Sequence, residues 1–246
     1  CRTIDNEDWE RQISEISNSI IFIDEGNRFL TSRKFAELVQ KSDNYFVIAT
    51  REKLPMLSYS VNEIYGFRKS GKFHEARQKY NEIYHLYGEI SEQRMVCPQY
   101  VLTEDSNSGY EFFSDLSKQK NICCFSANGK SNIIFGLHKI KKKEGTCLVI
   151  VDGAAFGSEM RDVSEYLKVA DDIVLYAPES FEWLLLSTNA IPNVNVSPIL
   201  EHPEKYIDSK EYVSWERFFT TLLVKRTQNN SLWAYSKKKL PAVYLS

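Results

Sequence analysis

The sequence predicts an α/β protein: a parallel sheet flanked by helices, preceded by a β-α-β fragment and followed by a helical extension. Three observations carry that reading. Apolar runs of strand length recur at 19–23, 44–49, 100–103, 122–125, 146–151 and 172–176. Stretches with helical apolar spacing separate most of them. Acids, glycines or small polar residues follow several runs, where a strand must turn into a helix.

The elements follow in order. The runs ending at Ile23 and Ala49 read as central parallel strands, and 32–41 between them as a helix with Ser32 as its N-cap. An edge strand is expected over 61–67. The stretch 72–87 places Phe73, Ala76, Tyr80, Ile83, Tyr84 and Tyr87 at helical spacing and predicts an aromatic-rich connecting helix, a candidate contact surface. Helices are then expected over 109–116, 131–141 and 158–169 between the four later strands, and another around 180–186. Residues 192–203 read as a loop, and 209–227 as an amphipathic helix that packs back on the core.

Composition narrows the classes. With 246 residues, 43% of them hydrophobic and 26% charged, the chain can bury a substantial core and is not of disordered type. Its 31 basic and 33 acidic residues nearly cancel, so any nucleic-acid surface must be a local patch. The five cysteines, Cys1, Cys97, Cys123, Cys124 and Cys147, form no CxxC pair and read as buried thiols in a reducing compartment. No run approaches the ~18 apolar residues of a membrane span, and no signal peptide is evident, so a soluble, cytoplasmic protein is expected. The opening from Cys1 to Trp9 reads as the interior of a domain.

Two constellations carry chemistry. The first is the apolar run Ile20–Ile23 closed by Asp24 and Glu25, with Phe46 to Arg51 as the neighbouring strand. Over about residues 15–67 this resembles the second half of a P-loop ATPase core. The resemblance implies that Asp24 helps hold magnesium and that Glu25 polarises the attacking water. No G-x-x-x-x-G-K-[ST] occurs in the chain; Gly129-Lys130-Ser131 follows a strand, but Cys124 stands where the first glycine is needed. ATP is therefore expected only if a P-loop comes from outside this chain. The alternative is an ordinary strand-to-turn junction.

The second constellation runs from Glu104 after a strand, through Gly129-Lys130 opening a helix and Asp152-Gly153 after another strand, to Ser180-Phe181-Glu182. In that order these residues resemble the topoisomerase-primase (TOPRIM) domain of the overcoming-lysogenisation-defect nucleases and related phage-defence proteins, over residues 99–190. The resemblance implies that Glu104 is a metal ligand or general acid-base group, that Asp152 ligates Mg2+ or Mn2+, and that Glu182 supports them. Lys130 is expected to contact phosphate. Two departures stand out: Ala154 replaces the second acid of the family's Asp-x-Asp, and Asp105 stands where glycine is common. Glu159, Glu179 and Glu182 are the candidates for the missing ligand. On the other reading of Glu104 and Asp152, they cap the next helix or face water.

The basic clusters at 139–143 and 237–239 either neutralise phosphates or are solvated loop tips. His74, His85, His138 and His202 share no zinc-ligand spacing, and no serine or cysteine lies in a nucleophile motif. The chain thus divides into a P-loop ATPase-like fragment (1–70), a helical connector (71–98), a TOPRIM-like domain (99–200) and a helical extension (201–246). The expected function is divalent-metal-dependent cleavage of nucleic acid. The alternatives are an NTPase whose P-loop lies elsewhere, and a degenerate TOPRIM-like module that binds nucleotide, nucleic acid or a partner ATPase subunit; an ATPase partner or a homo-oligomer is the expected assembly.

Overall fold

Four strands made almost wholly of apolar residues build the central sheet: β5 (Tyr100–Thr103), β6 (Cys123–Ser126), β7 (Cys147–Ile150) and β8 (Ile173–Tyr176). All pair in parallel, in the order β6-β5-β7-β8, with Thr103 opposite both Ser126 and Ile150. The chain is described over residues 7–70, 80–90, 96–140, 144–189, 191–192, 194–207, 211–212 and 214–245 of this computed structural model.

Parallel strands need crossovers, and helices supply them. α4 (Ser108–Gln119), α5 (Ile133–Ile140) and α6 (Met160–Leu167) connect the strands in turn. α5 and α6 turn Ile133, Leu137, Met160 and Val163 onto one face of the sheet, against Leu102, Val149 and Leu175. The other face is covered by α4 with α7 (Phe181–Ser187) and α9 (Trp215–Thr227), where Phe112 and Phe113 meet Phe181, Phe218 and Phe219. The sheet is therefore buried on both sides, as an all-parallel sheet must be. A short helix α8 (Ser197–Glu201), with Pro198 in its first turn, lies in the stretch that reads as loop.

The N-terminal unit holds α1 (Trp9–Ser14), β1 (Ile20–Ile23), α2 (Arg33–Lys41) and β2 (Tyr45–Ile48). Ser32 caps α2, its hydroxyl accepting the Phe35 N–H at 3.2 Å. β1 and β2 pair in parallel but form a sheet of their own. They are not central: Phe22 is 75% exposed and Ile20 63%, and with Tyr45 and Val47 they leave one face open.

The connector differs from the expected helix. Residues 80–85 form β4 (Tyr80–His85), antiparallel to β3 (Tyr65–Ser70), followed by the short α3 (Leu86–Ile90). A β-rich run takes the structure that its partner strand offers. Residues 71–79, including Phe73 and Ala76, lie outside the described set, as do Lys141 to Lys143. The extension's helix begins at Trp215, where Ser214 accepts the Arg217 N–H. The thiols differ too: Cys147 is buried and Cys124 half-buried, but Cys97 and Cys123 are exposed. No helix among the described residues is long and apolar enough to cross a membrane.

The N-terminal unit joins the central sheet at the loop after β7. Val61 N–H donates to Gly153 O at 2.9 Å, Gly157 N–H donates to Tyr59 O at 3.1 Å, and Lys53 pairs with Asp162 at 2.6 Å. That loop is tight: a Cβ on Gly153 would lie 2.6 Å from Ala177 O and 2.8 Å from Pro178 O, both backbone atoms that cannot swing away. Gly153→Ala is therefore expected to destabilise the fold by about 1–3 kcal/mol in urea denaturation. A loss below about 0.5 kcal/mol would show that the loop has slack.

Candidate functional site

In the order β6-β5-β7-β8 the chain leaves β5 toward one edge of the sheet and leaves β7 toward the other. The carboxyl ends of β5 and β7 therefore flank a switch point, the place where open α/β sheets bind ligands. Glu104 directly follows β5. Its N–H extends the ladder to Ile150 O at 2.9 Å, and its carbonyl accepts the Gly129 N–H at 2.7 Å. Asp152 lies just past β7, and its N–H donates to Glu104 Oε2 at 3.0 Å. Asp152 Oδ1 accepts the Phe181 N–H at 3.1 Å, from the first residue of α7. The two acids that the sequence singles out 48 positions apart thus meet across adjacent strands. Between them, with Asp105, Gly109, Pro178 and Phe181, is a cavity of about 20 Å³, room for one water-sized body.

Burial pushes the Glu104 carboxyl up to about 7; the Asp152 N–H and Lys130 oppose the rise, while Glu216 and Asp105 add to it. Asp152 is held well above the usual carboxylate range by burial and by the charges of Glu104, Glu216 and Glu182, against Lys237. Both shifts have one physical reason: carboxyl groups gather here out of water with too little positive charge.

The remaining expected residues divide. Lys130 follows Gly129, whose φ of +116° suits glycine, and reaches across the rim to Ala155 O at 2.9 Å. Asp105 accepts the backbone N–H groups of Asn107, Gly109 and Tyr110, so the helix-capping role open to a strand-end acid falls to it. Glu182 is 1% exposed, and its Oε1 accepts the Tyr235 hydroxyl at 2.7 Å. It faces the core cluster beneath α9 but still acts on Asp152 through its charge. Ala154 is buried, with its N–H on Glu179 O. Glu159 is paired with Lys53, and Glu179 accepts from Asn62, so neither is turned to the pair.

Sequence reasoning missed the contribution of the C-terminal extension. Lys237, seen only as part of a basic cluster, forms an ion pair with Glu216 of α9. Burial works against its ammonium, but Glu216, Glu182 and Asp152 together raise its pKa. Tyr235 and Glu216 carry no sequence signal, because their place depends on where the tail crosses α4.

Asp24 and Glu25 have partners within the N-terminal unit. Asp24 Oδ1 accepts the Glu25 N–H at 2.8 Å, and Glu25 pairs with Arg51 at 3.1 Å on the surface.

Among the described residues no group of three or more His, Cys, Asp or Glu side chains is arranged to hold a metal ion. The Glu104–Asp152 pair supplies two hard oxygen donors. That donor set fits magnesium, which is commonly held by one or two carboxylates together with water and substrate phosphate. It does not fit an ion that requires a closed cage of protein ligands. Comparison of the chain with protein-family models, curated proteins and solved structures gives no match.

The raised carboxyls have a sign. Glu104 binds its proton more tightly folded, from an ordinary 4.5 to about 7, so its contribution to stability is full below the ordinary value and is lost as pH rises through about 7. The metal-free protein is expected to lose on the order of 3 kcal/mol on this account between acidic and mildly alkaline pH. Glu104→Gln should flatten that slope in urea titrations across the range. Superimposable pH profiles for wild type and variant would refute the assignment.

Proposed function

We propose that this rim carries divalent-metal-dependent hydrolysis of nucleic-acid phosphodiesters. The observation that supports it most is the meeting of Glu104 and Asp152 at the switch point, over a cavity of single-water size, with the charge of Lys130 felt by Glu104 and that of Lys237 by Asp152. Glu104 and Asp152 would hold Mg2+ or Mn2+. When bound, such an ion neutralises phosphoryl charge and lowers the pKa of its water.

The chain's own groups supply the rest. The Asp152 N–H holds Glu104 Oε2 and the Phe181 N–H holds Asp152 Oδ1, so both carboxylates are oriented before any ligand arrives. The ammonium groups of Lys130 and Lys237 act on Glu104 and Asp152 through their charge and would favour a phosphate near the pair. A TOPRIM-type nuclease of the phage-defence kind, in a cytoplasmic setting, is the biological reading that accords with this chemistry. Burial pushes the Cys124 and Cys147 thiols up to about 11 and about 12, which suits inert structural thiols in a reducing compartment.

One observation favours a second reading for the N-terminal unit. A two-stranded parallel sheet with Ile20, Phe22, Tyr45 and Val47 exposed resembles part of a larger covered sheet. In this reading Asp24 and Glu25 belong to a nucleotide-hydrolysing core whose P-loop comes from outside this chain. The reading requires ATP turnover that appears only with a P-loop-bearing partner and is lost in Glu25→Gln.

For the rim, purified protein with Mn2+ is expected to nick supercoiled plasmid, and Asp152→Asn to lower the rate at least about a hundredfold. Mn2+ should also raise the melting temperature of wild type at mildly alkaline pH, but not that of Asp152→Asn. Equal background nicking by both proteins, with no Mn2+ shift in either, would rule the reading out.

A further inference from the structure

Glu104 and Asp152 stand on separate strand-to-helix turns, after β5 and β7. The turn after Glu104 leads into α4, which opens at Ser108. The turn after β8 leads into α7, whose first N–H, from Phe181, holds Asp152. One side-chain atom touches both helix starts. The Tyr235 hydroxyl donates to Glu182 Oε1 at 2.7 Å and lies 2.9 Å from Ser108 Oγ. Its single proton goes to the carboxylate, so Ser108 is the donor in the second bond.

Resting on the metal-site reading above, we propose that Tyr235 is a positioning residue that fixes the spacing of Glu104 and Asp152 by bridging the starts of α4 and α7. Three further features fit it for that role. Tyr235 is 5% exposed, so its bridge does not compete with water. Its own backbone is fixed, its N–H donating to Thr227 Oγ1 at 2.9 Å, and that hydroxyl bonds Leu223 O within α9. The tail beyond it is laced to α4, with Ser108 N–H on Lys237 O and Leu240 N–H on Glu111 Oε2 at 2.7 Å. The phenol ring packs edge-on to Tyr244, a contact that phenylalanine would also make. The hydroxyl is therefore the part that serves the bridge.

Tyr235→Phe tests this with two readouts, neither of them turnover. Amide hydrogen exchange at Phe181 reports the Asp152 side of the bridge and is expected to speed up at least about tenfold, while Leu137 in α5 is unchanged. Mn2+ affinity, read by electron paramagnetic resonance without nucleic acid, is expected to fall on the order of tenfold, as when a group that orients a ligand is removed. Tyr244→Phe, whose hydroxyl bonds only Trp233 O among the described contacts, should leave both readouts within about twofold of wild type.

Unchanged exchange at Phe181 in Tyr235→Phe would overturn the proposal, as would equal acceleration at Leu137, which would mean general loosening. Wild type that binds no Mn2+ would end the metal reading, and Phe181 exchange would still decide the role of Tyr235.

Discussion

Parallel pairing of β5 with both β6 and β7 is the constraint on which the rest depends. Because Thr103 lies opposite Ile150, the ladder ends with the Glu104 N–H on Ile150 O, and the first backbone donor past β7 that lacks a strand partner belongs to Asp152. Glu104 Oε2 takes that proton. A shift of one residue in this register would turn Glu104 to the other face and break the pair, and the apolar faces of both strands, buried in opposite cores, resist such a shift. The cavity, the raised protons and the approach of Lys130 from the β6 side all follow from that seam.

The same seam costs stability. Glu104, Asp105, Asp152, Glu182 and Glu216 act on one another across a poorly hydrated rim, and Lys130 and Lys237 only partly offset them. A fold selected for stability alone would place apolar residues here, as it does along most of β5 and β7. Carboxyl groups concentrated at a topological switch point suit a cation, and a phosphate could be accepted there only through that cation and the two lysines. The two lysines lie 107 positions apart, Lys130 at the turn after β6 and Lys237 in the C-terminal extension, so the central sheet and the extension both contribute to one electrostatic environment.

Much of this was legible in the sequence, for identifiable reasons. β5 and β7 read clearly because unbroken apolar runs between turn residues suit strands buried on both faces. Glu104 and Asp152 read as a pair because a parallel sheet brings all its carboxyl ends to one rim. The hairpin did not: Tyr80, Ile83, Tyr84 and Tyr87 recur at helical spacing, and only pairing with Tyr65–Ser70 decides for a strand. Glu182 looked like a ligand from its motif, but Ser180 caps α7 through the Trp183 N–H, which turns Glu182 into the core and onto Tyr235. Tyr235 and Lys237 have no local pattern at all, since their meaning lies in a tertiary crossing.

The missing acid at position 154 is built into the backbone. Gly153 is wedged against Ala177 O and Pro178 O, Ala154 N–H is bound to Glu179 O, and the loop's far side is pinned by Tyr59 and Val61. The two neighbouring acids have partners away from the pair, Glu159 with Lys53 and Glu179 with Asn62. Under the proposed reading, an ion on Glu104 and Asp152 must complete its shell with water and substrate phosphate. Its affinity is then set largely by the nucleic acid that shares it, which favours a hard ion such as magnesium that keeps its waters over one that demands a full protein cage. Orientation of the two carboxylates correspondingly matters more than in a site with ligands to spare, and the burden of holding them falls on the turns that α4 and α7 anchor.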